Sequence, residues 1–285
     1  MNPALGALLA GATCIAASPI FVRLSEAGPT ATAFWRVAIA VPVLWVLYLL
    51  KPRFRAGRYG AQWPLLIAAA FAFAGNLAFW HSSILLTSVA NSTLLASLAS
   101  IFVTLAAWIF LRERPSGLFL AGLAATLVGV ALLVHTSVEY SRTGFIGDAL
   151  GVVTAIFYAG YILASKALRD RGETTLHLMA VTSTITAIFL LPAALASGDQ
   201  MLPASAYGWW ILIGLALVSH AAGQGLIAYA LAHLPAAFSS GSLLLQPVMA
   251  ALFAWLVLSE SLAPLQVIGG LVVLAGIYLA RRGSG

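Results

Sequence analysis

The sequence predicts an all-α integral membrane protein of ten transmembrane helices, arranged as two inverted five-helix repeats. Three observations lead there. Apolar residues make up 62% of the 285 residues and charged residues 8%, against roughly 25% charged in an ordinary soluble domain; water cannot solvate such a surface, so lipid must. The apolar residues gather into runs of the length a bilayer needs, about 20 residues each. And one phrase occurs twice: "AAWIFLRER" at 106–114 returns as "FAWLVLSES" at 253–261.

The first run, 4–24, has no Lys or Arg ahead of it and no A-x-A-like cleavage site, so it reads as a retained span rather than a removed signal peptide. Its lone Cys14 excludes an intrachain disulfide and reads as a small apolar packing residue. "EAGPT" at 26–30 separates it from the second run, 31–50, which "KPRFRAGRYG" at 51–60 closes. The third run, 64–86, passes quickly into the fourth, 90–111, which "RERPSG" at 112–117 ends. The fifth covers 117–135, the sixth 144–167 and the seventh 174–196, followed by "SGDQMLP" at 197–203. The last three cover 207–231, 236–258 and 263–280. Each must be helical, because a backbone facing lipid has to satisfy its hydrogen bonds within the segment.

Ten crossings put both termini on one side. That side holds Lys51, Arg53, Arg55, Arg58, Arg112, Arg114, Lys166, Arg169, Arg171, Arg281 and Arg282; the other holds Arg23 and Arg142. Positive loops face the cytoplasm, so both termini are expected there. The net charge of +6 is thereby read as topology, and nucleic acid is excluded as a partner.

Sliding the chain by 147 positions aligns 106–132 with 253–279, with identities that include Trp108/Trp255, Glu113/Glu260, Gly122/Gly269 and Gly129/Gly276. Ala90-x-Ser92 falls beside Ala237-x-Ser239, and a slightly smaller shift sets "GALLAGAT" at 6–13 beside "GDALGVVT" at 147–154. The repeats are expected at 1–140 and 141–285. Five spans per repeat is odd, so the second copy enters the membrane from the opposite side. "LRER" then faces the cytoplasm and "LSES" does not, which explains arginines around one glutamate and serines around the other. Trp108 and Trp255 read as packing or belt residues, and Glu113 and Glu260 as local caps or pairs. Inverted halves suit alternating access around a midplane site.

The phrases "FWRVAIA" at 34–40, the stretch 92–134 and the stretch 239–280 together resemble the drug/metabolite transporter superfamily in its EamA-type ten-helix branch, and are similar to bacterial aromatic and broad-range amino-acid exporters. The resemblance implies a central cavity bounded by spans 1, 3, 4, 6, 8 and 9. Where that family has a proline before the repeated block, the second half has Pro247 but the first has Ser100, which implies a straighter fourth span than ninth.

Polar residues at helical spacing mark the expected path: Asn76, Trp80 and Ser83, with His81 beside them; Thr93, Ser97, Ser100 and Thr104; Thr154, Tyr158, Tyr161 and Ser165; His220 and Gln224; Ser239, Ser242, Gln246 and Met249. Hydroxyl stripes serve helix packing equally well. The substrate-binding candidates are Asn76, Trp80, His81, Ser97, Tyr158, Tyr161, Gln224, Ser242 and Gln246, with His81 and His220 the candidates for proton coupling. Arg36, near the outer end of the second span, costs about 3 kcal/mol at the bilayer centre on the insertion scale; snorkelling, pairing with Glu26 and meeting a substrate carboxylate are all open. No Asp or Glu lies mid-membrane, and Lys and Arg are too few for phosphorylated solutes. No catalytic constellation, metal cluster or phosphate loop is recognisable, so neither enzyme nor cofactor is expected. These features point to an inner-membrane exporter of aromatic or neutral amino acids and related metabolites, with facilitated diffusion favoured over proton coupling, the small-molecule substrate and the lipid bilayer as partners, and a monomer sufficient with the oligomeric state open. A lipid-linked-intermediate flippase and a proton-coupled drug/metabolite antiporter remain alternatives.

Overall fold

The computed structural model describes residues 3–50, 62–86, 92, 95–112, 114–134, 142–258 and 264–283. The basic segment 51–60, Ala90, Thr93, Glu113, Glu260 and the expected boundary at 140/141 lie outside the described residues.

Every regular element described is a helix. In chain order they are α1 (Pro3–Leu24), α2 (Pro29–Leu49), α3 (Trp63–Leu86), α4 (Leu95–Phe110), α5 (Gly117–Val134), α6 (Arg142–Asp170), α7 (Thr175–Ala196), α8 (Ala206–Ala230), α9 (Ala236–Val257) and α10 (Pro264–Gly283). Seven of these, α1 to α3 and α6 to α9, hold stretches long and apolar enough to cross a membrane; α4 and α5 contribute shorter apolar stretches.

The interruptions have chemical causes. α1 turns at Ala17, just before Ser18–Pro19, and α2 at Ile39, just before Pro42; proline supplies no N–H to the helical ladder and its ring crowds the preceding turn. In α9 the break falls at Leu243–Leu244. Pro247 cannot donate to the Leu243 carbonyl, and Gln246 N–H does so instead at 2.9 Å, tightening the turn. The fourth span is interrupted as well, although it lacks the proline. α4 carries a turn at Leu98, where Ile101 N–H reaches the Leu98 carbonyl at 2.9 Å, and Ser100 next to it donates its hydroxyl to the Ser240 carbonyl of α9 at 2.9 Å. A cross-helix bond accompanies this bend without a proline. α4 ends in a π-helical turn, Ala107–Leu111, stopped by Arg112 in the left-handed region at φ +58.

The halves meet through pairs of equivalent helices. α5 and α10 match in sequence and run antiparallel: the Ser116 hydroxyl donates to the Gly283 carbonyl, Gly122 faces Gly276, and Gly129 faces Gly269. The repeat maps Gly122 onto Gly269 and Gly276 onto Gly129, so the two glycine contacts are one contact seen twice, as an inverted duplication requires. α1 against α8 is likewise the counterpart of α6 against α3. Gly11 packs on Gly223 and Ile227, with the Ser219 hydroxyl on the Cys14 carbonyl at 3.1 Å; Asn76 meets Thr154 and Ser83 meets Gly147. α7 packs on α2 and α3. Trp108 and Trp255, also equivalent, both point outward at 53% and 48% exposure.

A methyl group added at Gly122 would sit 2.7 Å from the Gly276 carbonyl oxygen, and one at Gly276 would sit 2.8 Å from the Gly122 oxygen, whereas at Gly117 it would meet nothing within 4 Å. Overpacking of this kind costs about 1–3 kcal/mol. Gly122→Ala and Gly276→Ala should each lower the unfolding temperature of the purified protein, while Gly117→Ala at the helix start should change it far less. Equal melting curves for all three would refute the close-packed crossing.

Candidate functional site

Between the halves lies a cavity of about 110 Å³ of water-accessible volume, room for several waters. The six expected helices all line it: α1 with Ile15, Ser18 and Pro19; α3 with Asn76, Leu77 and Trp80; α4 with Ser97 and Ser100; α6 with Thr154 and Tyr158; α8 with Gln224; α9 with Ser240, Leu243, Leu244, Gln246 and Pro247. α2 adds a seventh wall through Arg36. The breaks in the helices position this lining. Ser18 and Pro19 follow the turn in α1, Arg36 precedes the turn in α2, and the bends in α4 and α9 bring Ser97, Ser100, Leu243 and Leu244 to one side.

Of the candidates from sequence, Asn76, Trp80, Ser97, Tyr158, Gln224 and Gln246 converge on this cavity. Asn76 Nδ2 donates to the Thr154 carbonyl at 3.4 Å, a long bond that leaves its oxygen for other partners. Tyr158 Oη lies beside the amides of Gln224 and Gln246, yet no bond of full geometry closes among them. Tyr158 Oη, Gln224 Oε1 and Gln246 Nε2 are all buried without a partner in the protein. An unmet buried polar group costs about 1–3 kcal/mol, so three together favour a polar occupant.

His81, Tyr161, Ser242 and His220 are not among the lining residues. Tyr161 stacks between Tyr158 and Phe73, and its hydroxyl lies 3.9 Å from Met179 Sδ. The Ser242 hydroxyl donates to the Phe238 carbonyl one turn back at 2.9 Å. His220, 1% exposed, places Nε2 2.8 Å from Ser183 Oγ on α7 and stacks on Phe73. His81, also 1% exposed, stands edge-on to Trp80, 5.1 Å between ring centres.

Arg36 sits about 10 Å into its span at 1.5 Å per residue and is 3% exposed, so it does not snorkel. Nor does it pair with Glu26. Glu26 accepts from the Ser205 hydroxyl at 2.5 Å and from the Ser205 backbone N–H at 2.9 Å. Arg36 Nη1 instead donates to Ser18 Oγ at 2.9 Å. Sequence reasoning did not place Ser18 in the site; the Ser-Pro step that breaks the first span was its signal.

At one end of the helices, the α1–α2 turn of the first half is fastened to the α7–α8 turn of the second. Asp199 caps the N-terminus of α2, accepting from Thr30 N–H at 2.8 Å, where the helix dipole favours a carboxylate. Trp35 Nε1 donates to the Met201 carbonyl at 2.7 Å, and Gly28 N–H to the Gln200 carbonyl at 3.0 Å. Glu26 on Ser205 completes the set. The Ser205 hydroxyl and backbone N–H hold the Glu26 carboxyl below its ordinary pKa of 4.5. A depressed carboxyl stabilises the folded form above its unfolded pKa, and that contribution is lost as pH falls through the folded value. Glu26→Gln should therefore melt below wild type at neutral pH, with the gap closing in acid. A gap that is the same at neutral and acid pH would refute the contact.

The comparisons with known proteins agree with this architecture. The sequence profile of the EamA-like transporter family matches the chain twice, over residues 2–135 and 145–282. A probable terminal-alkyne amino-acid exporter of Streptantibioticus cattleyicolor is 30% identical over 196 residues, covering 67% of this chain and 64% of its own. A pseudopaline exporter of Pseudomonas aeruginosa is 28% identical over 289 residues, covering 98% and 97%. A solved crystal structure superposes with a TM-score of 0.86 at 15% identity, over 99% of this chain and 98% of that one, and shares the fold. With its membrane-length apolar helices, the chain is a multi-pass membrane protein.

Proposed function

The chain belongs to the EamA-like transporter family, and on that premise we propose that it exports amino acids, aromatic and neutral ones first, together with related small metabolites, by alternating access between its inverted halves. The membrane is the cell's inner membrane, with both termini in the cytoplasm, as the asymmetry of Lys and Arg favours. The observation that carries the reading is the cavity. It draws its walls from both repeats, and it sets an aromatic and aliphatic surface (Trp80, Leu77, Leu243, Leu244) beside buried, unpaired polar atoms on Tyr158, Gln224 and Gln246. A solute with one apolar part and a few hydrogen-bonding groups matches that lining. The likeness to a pseudopaline exporter and to a probable terminal-alkyne amino-acid exporter supports the same direction.

The route is facilitative. His81 and His220, the groups suited by type to carry protons, stand outside the lining, with one nitrogen of His220 facing Ser183. A protein reconstituted in liposomes should therefore pass labelled phenylalanine down its own gradient with no imposed pH or voltage difference. Flux that appears only after a proton gradient is added would replace this route with coupled exchange, and no amino-acid flux in either condition would overturn the exporter reading. The double variant His81→Ala/His220→Ala, compared at equal folded yield, should retain most of the downhill flux; its abolition would return the histidines to the mechanism.

A further inference from the structure

We infer that Arg36 is the carboxylate anchor of the cavity, so that the solute is a monocarboxylate held by the acid group and not by its amine. This deepens the exporter reading and rests on the same cavity being the solute site.

The argument begins with charge. Arginine stays protonated and presents donors in a planar fork shaped for carboxylates. Arg36 is almost wholly buried and lines the cavity wall. Its one side-chain bond is to a neutral hydroxyl, Ser18 Oγ, which holds Nη1 and fixes the fork. Nε has no partner in the protein. The ion pairs Lys166–Asp170 and His177–Glu173 lie at the α6–α7 turn and do not involve Arg36. Of the two acids near α2, Glu26 spends its oxygens on Ser205 and Asp199 accepts from the Thr30 backbone N–H at the helix start. The titratable groups that face Arg36 are the phenols of Tyr158 and Tyr161 and the imidazoles of His81 and His220, none of which is an anion. A buried cation facing a hollow with no anion built beside it is a site for an anion from outside.

The lining selects which anion. A phosphate calls for more than one cation, and among the described residues Arg36 is the only Lys or Arg in the wall. A single negative charge is matched. Among the described residues no Asp or Glu lines the cavity, so an amine finds uncharged acceptors there, of which Gln224 Oε1 is unpaired. The acid group therefore supplies the discriminating interaction, and the amine is tolerated. Trp80, Leu243 and Leu244 leave room for an apolar body on the remaining walls.

The test uses the purified full-length protein in lipid nanodiscs and three labelled probes of similar size: phenylacetate, which has the acid and no amine; phenylacetamide, its uncharged isostere; and phenethylamine, which has the amine and no acid. Wild-type protein should bind phenylacetate at least tenfold more tightly than phenylacetamide, about 1.4 kcal/mol, and phenethylamine no better than the amide. Arg36→Gln should abolish the preference for acid over amide, and Arg36→Lys should keep part of it. Absence of phenylacetate binding, equal affinity for acid and amide, or a preference that survives in Arg36→Gln would each overturn the anchor. The acid-to-amide ratio of the wild-type protein decides the matter even if Arg36→Gln fails to fold. Phenylalanine flux in liposomes is measured alongside. Carboxylate selectivity without amino-acid flux overturns the exporter reading and leaves the anchor; flux without carboxylate selectivity does the reverse.

Discussion

The structure depends on equivalent helices packing against each other in opposite directions. The α5–α10 crossing shows why. A helix that meets its own repeat antiparallel makes every contact twice, so a small residue that permits close approach at one point is required again at its image. Gly122 on Gly276 and Gly129 on Gly269 are that pair of points. In lipid, where helix association draws little on the hydrophobic effect, backbone approach at small residues is a main source of attraction. The same logic places Gly11 on Gly223 between α1 and α8. The cavity is what remains between these crossings, and its walls come from both halves for that reason.

A second constraint separates polar residues that hold the protein together from those that face the cavity. Polar side chains within a bilayer need partners. Most hydroxyls here find one without leaving their own helix: Thr13 on Leu9, Ser82 on Ala78, Thr104 on Ser100, Thr126 on Gly122, Thr154 on Leu150 and Thr182 on Leu178 all bond to a carbonyl one turn back. Others tie helices together, as Trp45 does to Thr184 and Thr186 to the Ala70 carbonyl. Against that background, unpaired buried atoms stand out; some lie elsewhere, as on His81, Ser92 and Ser239, but Gln224 Oε1, Gln246 Nε2 and Tyr158 Oη share one cavity. With Arg36 Nε, these are, among the described residues, the unmet buried polar atoms on side chains that line the cavity.

This contrast also explains what could be read from the sequence. The helical class, the membrane-length runs and the duplication were legible because each rests on many residues at once. Asn76, Trp80, Tyr158, Gln224 and Gln246 were legible as cavity residues because large polar or aromatic groups inside a span have few idle uses. Ser97 and Ser242 were chosen from equivalent-looking stripes, yet one reaches the cavity and the other bonds to Phe238. Spacing alone cannot separate them, since a hydroxyl that bonds one turn back lies on the same face as one that does not. His220 and Gln224, four residues apart, share a face in sequence. The structure turns the first to Ser183 and the second to the cavity, a division set by where α7 packs. Arg36 was visible, but its partner was not. Only the tertiary placement of Ser205 beside Glu26 and of Ser18 beside Arg36 removes the internal ion pair.

If the two halves exchange conformations, the contacts that must change are of a different kind from those that hold the helices together. At one end the α1–α2 turn is fastened to the α7–α8 turn by Thr30 on Asp199, Trp35 on Met201, Gly28 on Gln200 and Glu26 on Ser205. Each joins the first repeat to the second. Net contributions of such bonds are about 0.5–1.5 kcal/mol each, because water takes over the freed groups when a turn opens to solvent. The glycine crossings have no such substitute, since separating them deep in the bilayer leaves a gap that neither water nor lipid fills well. A motion that opens this end therefore breaks the turn contacts first and pivots on the crossings. Arg36 and its Ser18 partner, on the cavity wall, then supply the buried positive charge that a solute from that end meets once past the turns.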